Sequence, residues 1–219
     1  MVPKTQISNI RREELTRAAM KCIADKGYDR VTLDDVTREA GLSKGIASYY
    51  FNNREELLLS VIQKMRKEVV KLAKLIWELP ENVEDEEEIY KQAAKYYADP
   101  QVNLVNVLKD ANKFIVQWFT KNQLIIKVIL QFWGQIPRNP LIAELNESIH
   151  QYFKNISAIF INEGIKRGEF KKRNPKMAAY TLLASLTGLA LHQIMFKKEF
   201  DDKSLEKSLN DLIFDYLQA

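Results

Sequence analysis

The 219-residue sequence has little cysteine, glycine or proline: one cysteine, seven glycines and six prolines. A single cysteine, Cys22, excludes an intramolecular disulfide and a cysteine-cluster metal site, and it is typical of a reducing compartment, so we expect a cytoplasmic protein. There is no apolar run of about 18 residues and no apolar signal core near the first residue. The sequence therefore predicts neither a membrane span nor secretion.

The composition that is present favours a folded, helical protein. Hydrophobic residues make up 46% of the chain and charged residues 28%, with a net charge of +4, so the chain can bury a substantial core. The positive excess is concentrated in residues 1–66. Between the few glycines and prolines, apolar residues recur every three or four positions, which is the helical period. We predict an all-α fold without strands.

The helical pattern and its breaks predict the elements. Helices are expected at about 8–26, 33–40, 44–51, 54–78, 101–135 with a break near 112, 139–167, 175–198 and 201–218, and a helical stripe also covers 89–96. Gly27 suits a helix end, Thr32 and Asp35 have the spacing of a capping box, and Ser43 suits an N-cap. Cys22 falls on the apolar face of the first helix and is interpreted as a core residue.

Residues 33–51 form two short helices joined by a turn that contains Gly41, which predicts a helix-turn-helix. In the second helix, Ala47 and Phe51 can face a small core. The opposite face shows a cation, a residue without a side chain, an apolar group and hydroxyls: Lys44, Gly45, Ile46, Ser48 and Tyr49. This combination suits a DNA groove, and the donors expected to reach phosphates are Thr32, Ser43, Ser48, Tyr49, Tyr50 and Arg54. Alternatively, the two tyrosines only cover the core.

The stretch TLDDVTREAGLSKGIASYYFNNREEL, from Thr32 to Leu57, resembles the tetracycline-repressor (TetR) family of bacterial transcriptional regulators. The resemblance covers about residues 10–60. It implies that Thr32 contacts phosphate, that residues 43–50 enter the major groove, and that Arg54 holds the DNA backbone. Ala47 departs from the larger aliphatic usual in the family, and Arg54 stands where lysine is frequent, so the operator sequence cannot be transferred.

The resemblance also implies the organisation of the whole chain. Residues 1–53 would form a three-helix DNA-binding domain, and a long helix would join it to an effector-binding and dimerisation domain over residues 54–219. The two long helices near 140–167 and 175–198 would pair with their copies in a homodimer that binds a palindromic operator in double-stranded DNA. Small residues in the second of these helices allow close packing, and we place the interface at Ala184, Gly188 and Leu191. They could instead serve a contact within one chain.

An effector pocket is expected to be apolar with a few polar groups. The aromatic residues that we select for it are Phe114, Trp118, Phe132, Trp133 and Tyr152. Aromatic residues at helical spacing also occur in ordinary cores, so each of these five residues could instead be a core residue that does not touch a ligand. Because the segments show no obvious buried charge, we expect a small, largely apolar effector. No cofactor or metal ion is expected.

Two other classes of function remain as alternatives. Glu147 and His150 form one Glu-x-x-His motif, but a di-iron site needs two such motifs. The other histidine, His192, has a leucine, Leu189, and not a glutamate three residues before it. An enzyme is therefore not expected, and no nucleophile motif is present. A protein-interaction module that has lost DNA binding would not need Lys44, Tyr49 and Arg54.

Overall fold

The structure, a computed structural model, describes residues 4–77, 85–196 and 201–218. In its N-terminal part the helices are α1 (Lys4–Lys26), α2 (Leu33–Glu39), α3 (Ile46–Tyr50) and α4 (Arg54–Ile76), with a 3₁₀ turn at Tyr28–Arg30. The others are α5 (Glu86–Ala98), α6 (Leu104–Lys121), α7 (Gln123–Trp133), α8 (Pro140–Lys166), α9 (Pro175–Met195) and α10 (Asp202–Leu217). Within these ranges the only extended pairing is an isolated bridge between Phe170 and Gln218. The predicted all-α fold class is confirmed.

The chain forms two compact units. The first holds the chain up to Glu68 together with Leu124–Asn146, and the second holds Val69–Gln123 and the chain from Glu147 onward. Helices α4 and α8 each run from one unit into the other. The first compact unit thus includes α7 and the start of α8 besides the helix-turn-helix. A division of functions after residue 53 stays a prediction.

The core of the first unit forms where the apolar faces of α1 to α4 meet. Leu15 and Ile23 of α1, Val36 of α2 and Ala47 of α3 are completely buried there, as is Phe51 just after α3. Val128 and Phe132 of α7 belong to the same cluster. Cys22 is also buried, which confirms that it is a core residue. Burial raises the pKa of its thiol, and the negative charge of Glu39 adds to this.

The core of the second unit is rich in aromatic rings. The ring of Phe160 lies 5.0 Å from that of Trp77, 5.2 Å from that of Tyr97 and 5.4 Å from that of Phe170, measured between ring centroids. The Tyr97 hydroxyl donates to the Trp77 carbonyl at 2.9 Å. Edge-to-face and tilted aromatic pairs of this kind add to the stabilisation that burial provides.

Several helix ends agree with the sequence analysis. Thr32 and Asp35 form the predicted capping box at the start of α2, and Gly27 ends α1 with a φ of 86°. Pro175 opens α9, and the side chain of Asn174 accepts from the backbone N–H groups of Lys176 and Met177. Proline is favoured at this position because its missing N–H would have no partner inside the helix.

Two details of the prediction are wrong. The break in the 101–135 segment falls at Asn122 and not near Asn112, because Asn112 is buried within α6 and donates to Asn210 of α10 at 2.9 Å. The N-cap of α3 is Gly45, with a φ of 84° and no side-chain cap, and not Ser43. The helix predicted over 44–51 therefore begins only at Ile46, because the left-handed turn at Gly45 precedes it.

Candidate DNA interface and effector site

The predicted DNA contacts around α3 lie together on one side of a short element. Ala47 and Phe51 are buried against Val36 and Leu57, as the helical spacing predicted. The other side of α3 and its preceding turn is open, and Tyr49 is 80% exposed. The residues there are Ser43, Lys44, Gly45, Ser48 and Tyr49, all exposed, with Ile46 and Tyr50 half-buried beside them.

This open face carries the chemistry of groove binding. Tyr49 and Tyr50 contact edge to face, with ring centroids 5.0 Å apart, and Ser48 precedes them in the same short helix. Gly45 adopts a left-handed φ of 84° that side chains rarely tolerate, and its lack of a side chain allows a close approach of the backbone. Hydroxyl and ammonium groups are able to donate to phosphate oxygens and base edges, and an aliphatic side chain such as that of Ile46 is able to contact a thymine methyl group.

Thr32 and Arg54 have structural partners already. The Thr32 hydroxyl donates to the Asp35 carboxylate at 2.9 Å, so it would have to leave this partner in order to donate to a phosphate. Arg54 donates from Nε to the Val31 carbonyl at 2.9 Å and from a terminal nitrogen to the Tyr28 carbonyl. Its guanidinium group also lies 5.0 Å from the Tyr28 ring centroid. Both residues support the fold of the site, and their phosphate contacts stay predictions.

Sequence reasoning did not select Arg12 and Glu56. Arg12 of α1 donates to the Tyr50 carbonyl at the end of α3 and to the Glu56 carboxylate at 2.9 Å. These partners lie 38 and 44 positions away in the sequence. No local pattern signals such contacts, because Arg12 is surrounded by other charged residues on α1.

Helix α9 has a face that is exposed over much of its length. Ala178, Ala179 and Leu182 are buried on its inner side. On the outer side, residues spaced by three and four follow one stripe, in which Met177, Tyr180, Ala184 and Met195 are exposed and Gly188 and Leu191 are half-buried. Tyr180 is 62% exposed and Met195 is 68% exposed. A row of apolar residues that reaches the surface in this way is typical of a face that another protein covers.

The predicted effector residues fall in both compact units. Phe114, Trp118 and Tyr152 pack in or against the core of the second unit. Phe132 is buried in the core of the first unit, and Trp133 of the same unit donates from its indole nitrogen to Asn146 at 2.8 Å. Each unit by itself therefore contains only part of the predicted set.

Tyr152 combines burial with an unused polar atom. It is 2% exposed, and its hydroxyl has no hydrogen-bond partner among the residues that the structure describes. Its ring lies 6.0 Å from that of Tyr90 and 6.2 Å from that of Phe153. Burial above all, and then electrostatic repulsion from Tyr90 and Glu86, raise the pKa of Tyr152 to about 12. The hydroxyl thus stays protonated at neutral pH and is a donor without an acceptor. Most buried polar atoms have a partner.

The described ranges contain no group of histidine, cysteine, aspartate and glutamate side chains that could hold a metal ion. Within the same ranges, no helix is both long and apolar enough to cross a membrane.

Comparison with known proteins shows two family matches. The model described as bacterial regulatory proteins of the tetR family matches residues 15–61, and the model described as the C-terminal part of BetI-type transcriptional repressors matches residues 112–218. The HTH-type transcriptional regulator BetI of Paraburkholderia xenovorans is 25% identical over 213 residues, which cover 97% of this chain and 96% of that protein.

Solved structures have the same fold. A transcriptional regulator from Pseudomonas aeruginosa PAO1 matches with a TM-score of 0.71 at 16% identity, covering 94% of this chain and 89% of that one. A regulator from Saccharomonospora viridis, solved in complex with choline, matches with a TM-score of 0.67 at 22% identity, covering 96% of this chain and 99% of that one.

Proposed function

The chain belongs to the tetR family of bacterial regulatory proteins, and on that premise we propose that it is a repressor which reads a palindromic operator with α3 and leaves it when an effector binds. Its relatives are transcriptional regulators and not enzymes, and the protein is a ligand-responsive, DNA-binding regulator. The observation that carries the proposed operator contact is the open face of α3, where an 80% exposed Tyr49 stands beside Lys44 and Ser48.

DNA binding is tested with a duplex selected by the full-length protein from a random-sequence pool. We expect Lys44→Gln to weaken binding and to reduce the slope of log K against log salt by about 0.9, the value for one phosphate contact. Lys172→Gln is the matched control, since Lys172 is an exposed lysine of the second unit. Equal losses in the two variants would contradict a contact at Lys44. Ile46→Ala should mainly change the base preference.

We propose that the α9 stripe pairs with its copy in a two-fold dimer. One short helix can read only a few base pairs, so useful specificity needs two half-sites. A two-fold dimer presents its two reading helices symmetrically, which is why a palindromic operator is expected. The apolar and small residues along the stripe, with Gly188 at its middle, support this surface as the interface.

We propose that the second unit binds a small, largely apolar effector through its aromatic residues. Phe114 and Trp118 border its core, and the Tyr152 hydroxyl, which has no hydrogen-bond partner in the described part of the chain, supplies one polar contact. Choline, which the Saccharomonospora viridis regulator holds, is a small molecule covered mostly by methyl and methylene groups. It is also a cation, and aromatic rings attract cations.

Calorimetry with choline and with 3,3-dimethylbutan-1-ol, an uncharged molecule of the same shape, separates these two chemistries. If the uncharged compound binds at least as tightly as choline, the result supports an apolar effector. If only choline binds, the effector is an organic cation and the proposal of an apolar effector is wrong. Tyr152→Phe and Trp118→Ala should weaken the binding of the compound that does bind, while operator binding without effector stays unchanged.

Release from DNA requires coupling between the two ligands. An effector that weakens operator binding must itself bind more weakly to the operator complex, by the same factor of roughly 5 to 150. Calorimetry of the effector in the presence and absence of the selected duplex measures this factor. Equal effector affinity in both titrations would eliminate the proposed release.

A further inference from the structure

Helix α3 cannot hold its own shape. It has five residues, and its N-cap, Gly45, offers no side-chain hydrogen bond. An isolated helix of this length is unstable in water, because nucleation is costly and every terminal carbonyl lacks a partner inside the helix. The orientation of the open face therefore depends on contacts that other elements make with α3.

Arg12 provides such a contact at the C-terminal end of α3. Its guanidinium group donates to the carbonyl of Tyr50, the last residue of the helix. The same group lies 4.5 Å from the centroid of the Phe51 ring. A cation at this end also complements the negative end of the helix dipole. One planar side chain thus holds the last turn of α3 against α1.

Glu56 fixes Arg12 in this position. Its carboxylate accepts from the second terminal nitrogen of Arg12 at 2.9 Å, and it also accepts from the backbone and side-chain N–H groups of Asn52 at 2.8 and 2.9 Å. Hydrogen bonding from Arg12, followed by that from the Asn52 backbone, lowers the pKa of Glu56. The carboxylate is therefore charged at neutral pH, and it links α1, the segment after α3 and the first turn of α4.

We propose that Arg12 is a positioning residue for DNA readout, which sets the orientation of Tyr49 and Tyr50 through the end of α3 and does not itself bind DNA. The inference rests on the proposed contact between α3 and the operator. Arg12 engages three partners at once through its planar fork, and lysine offers no such fork. Base readout depends on this geometry, whereas attraction to the phosphate backbone depends mainly on charge.

The test compares Arg12→Gln with Arg17→Gln, which removes the same charge from the same helix. Arg17 pairs with Glu13 one turn away on α1. Affinity is measured for the selected duplex and for a scrambled duplex of equal length. We expect Arg12→Gln to weaken binding to the selected duplex roughly ten-fold more than Arg17→Gln does, as expected for the loss of a charge-assisted hydrogen bond. The two variants should bind the scrambled duplex equally.

Arg12→Lys should bind the scrambled duplex like the unchanged protein and still bind the selected duplex more weakly. The inference would be overturned if Arg12→Lys bound the selected duplex as tightly as the unchanged protein. It would also be overturned if Arg12→Gln and Arg17→Gln lost equal affinity for the selected duplex. An extra loss that is the same on both duplexes would instead make Arg12 a phosphate contact. If Arg12→Gln loses cooperative melting, Arg12→Lys is compared with Arg17→Lys by the same criteria.

Ile46→Ala separates this inference from the proposed operator contact, because its expected effect is on base preference. If Ile46→Ala loses discrimination between the duplexes while the Arg12 variants keep it, only the positioning role fails. If all of them keep it, α3 does not read the operator.

Discussion

At the scale of single residues, Asp35 concentrates several interactions at the start of α2. Its carboxylate accepts from the backbone N–H of Thr32 at 3.2 Å and from the Thr32 hydroxyl at 2.9 Å, and it pairs with Lys26. These hydrogen bonds lower the pKa of Asp35 from about 3.8 to about 2, and the bond from Lys26 has the largest effect. The capping box therefore depends on a charged Asp35.

The pKa of Asp35 predicts how acid affects stability. Because this pKa is lower in the folded state than in the unfolded state, Asp35 contributes fully to stability at a pH above its ordinary pKa. This contribution is lost as the pH falls through the range from about 4 to about 2. We expect Asp35→Asn to lower the urea midpoint at pH 6 and to flatten part of the acid slope below pH 5. Asp34→Asn removes the same charge one position earlier in α2, and an equal flattening there would contradict the prediction.

Cys22 should react slowly with thiol reagents in the folded protein. It is buried, and burial raises the pKa of its thiol, so little of the reactive thiolate is present at neutral pH. We expect iodoacetamide to label Cys22 at pH 8 only as fast as the first unit unfolds, with a sharp rise across the urea transition measured by mass spectrometry. Rapid labelling without urea would place the thiol outside the core.

At the scale of elements, Gly164 shows how a helix can require a poor helix former. A Cβ atom added to Gly164 of α8 would lie 2.1 Å from Cδ2 of Phe170. The Gly164 carbonyl also accepts from the backbone N–H groups of Glu169 and Phe170 at 2.9 and 3.0 Å, which folds the chain back after the helix. The glycine allows Phe170 to lie on the helix that precedes it.

We therefore expect Gly164→Ala to be destabilising. Alanine improves helix propensity by about 1 kcal/mol, but forcing a methyl group into a packed core costs about 1–3 kcal/mol, and the short distance to a ring carbon favours the upper part of that range. Urea unfolding measures the difference. A Gly164→Ala variant as stable as the unchanged protein would show that Phe170 moves at little cost.

The elements also show where periodicity is sufficient and where it is not. The capping box at Thr32 and the burial of Ala47 and Phe51 follow from local spacing, and both are present. The sequence predicts a break near Asn112, whereas the structure has it at Asn122. Only the partner on α10, Asn210, shows why Asn112 can be buried. A hydrogen bond between helices leaves no periodic signal.

At the scale of the whole molecule, the stripe on α9 predicts the oligomeric state. Gly188→Arg adds a long, charged side chain at its middle, which would have to be buried against a partner helix, so we expect monomers in sedimentation velocity. Binding to the palindromic duplex should fall together with dimerisation. Gln101→Arg adds the same charge at an exposed site of the second unit. A fully dimeric Gly188→Arg variant would move the interface to another surface.

The sequence by itself determined the all-helical fold and the family, because helical periodicity, caps and the stretch from Thr32 to Leu57 are local features. It also indicated which side of α3 is buried. The tertiary structure alone decided that Arg54 supports the 3₁₀ turn, that Arg12 holds the end of α3, and that Phe132 belongs to the core of the first unit. These contacts join residues far apart in the chain, and packing between elements, which no single segment encodes, brings them together.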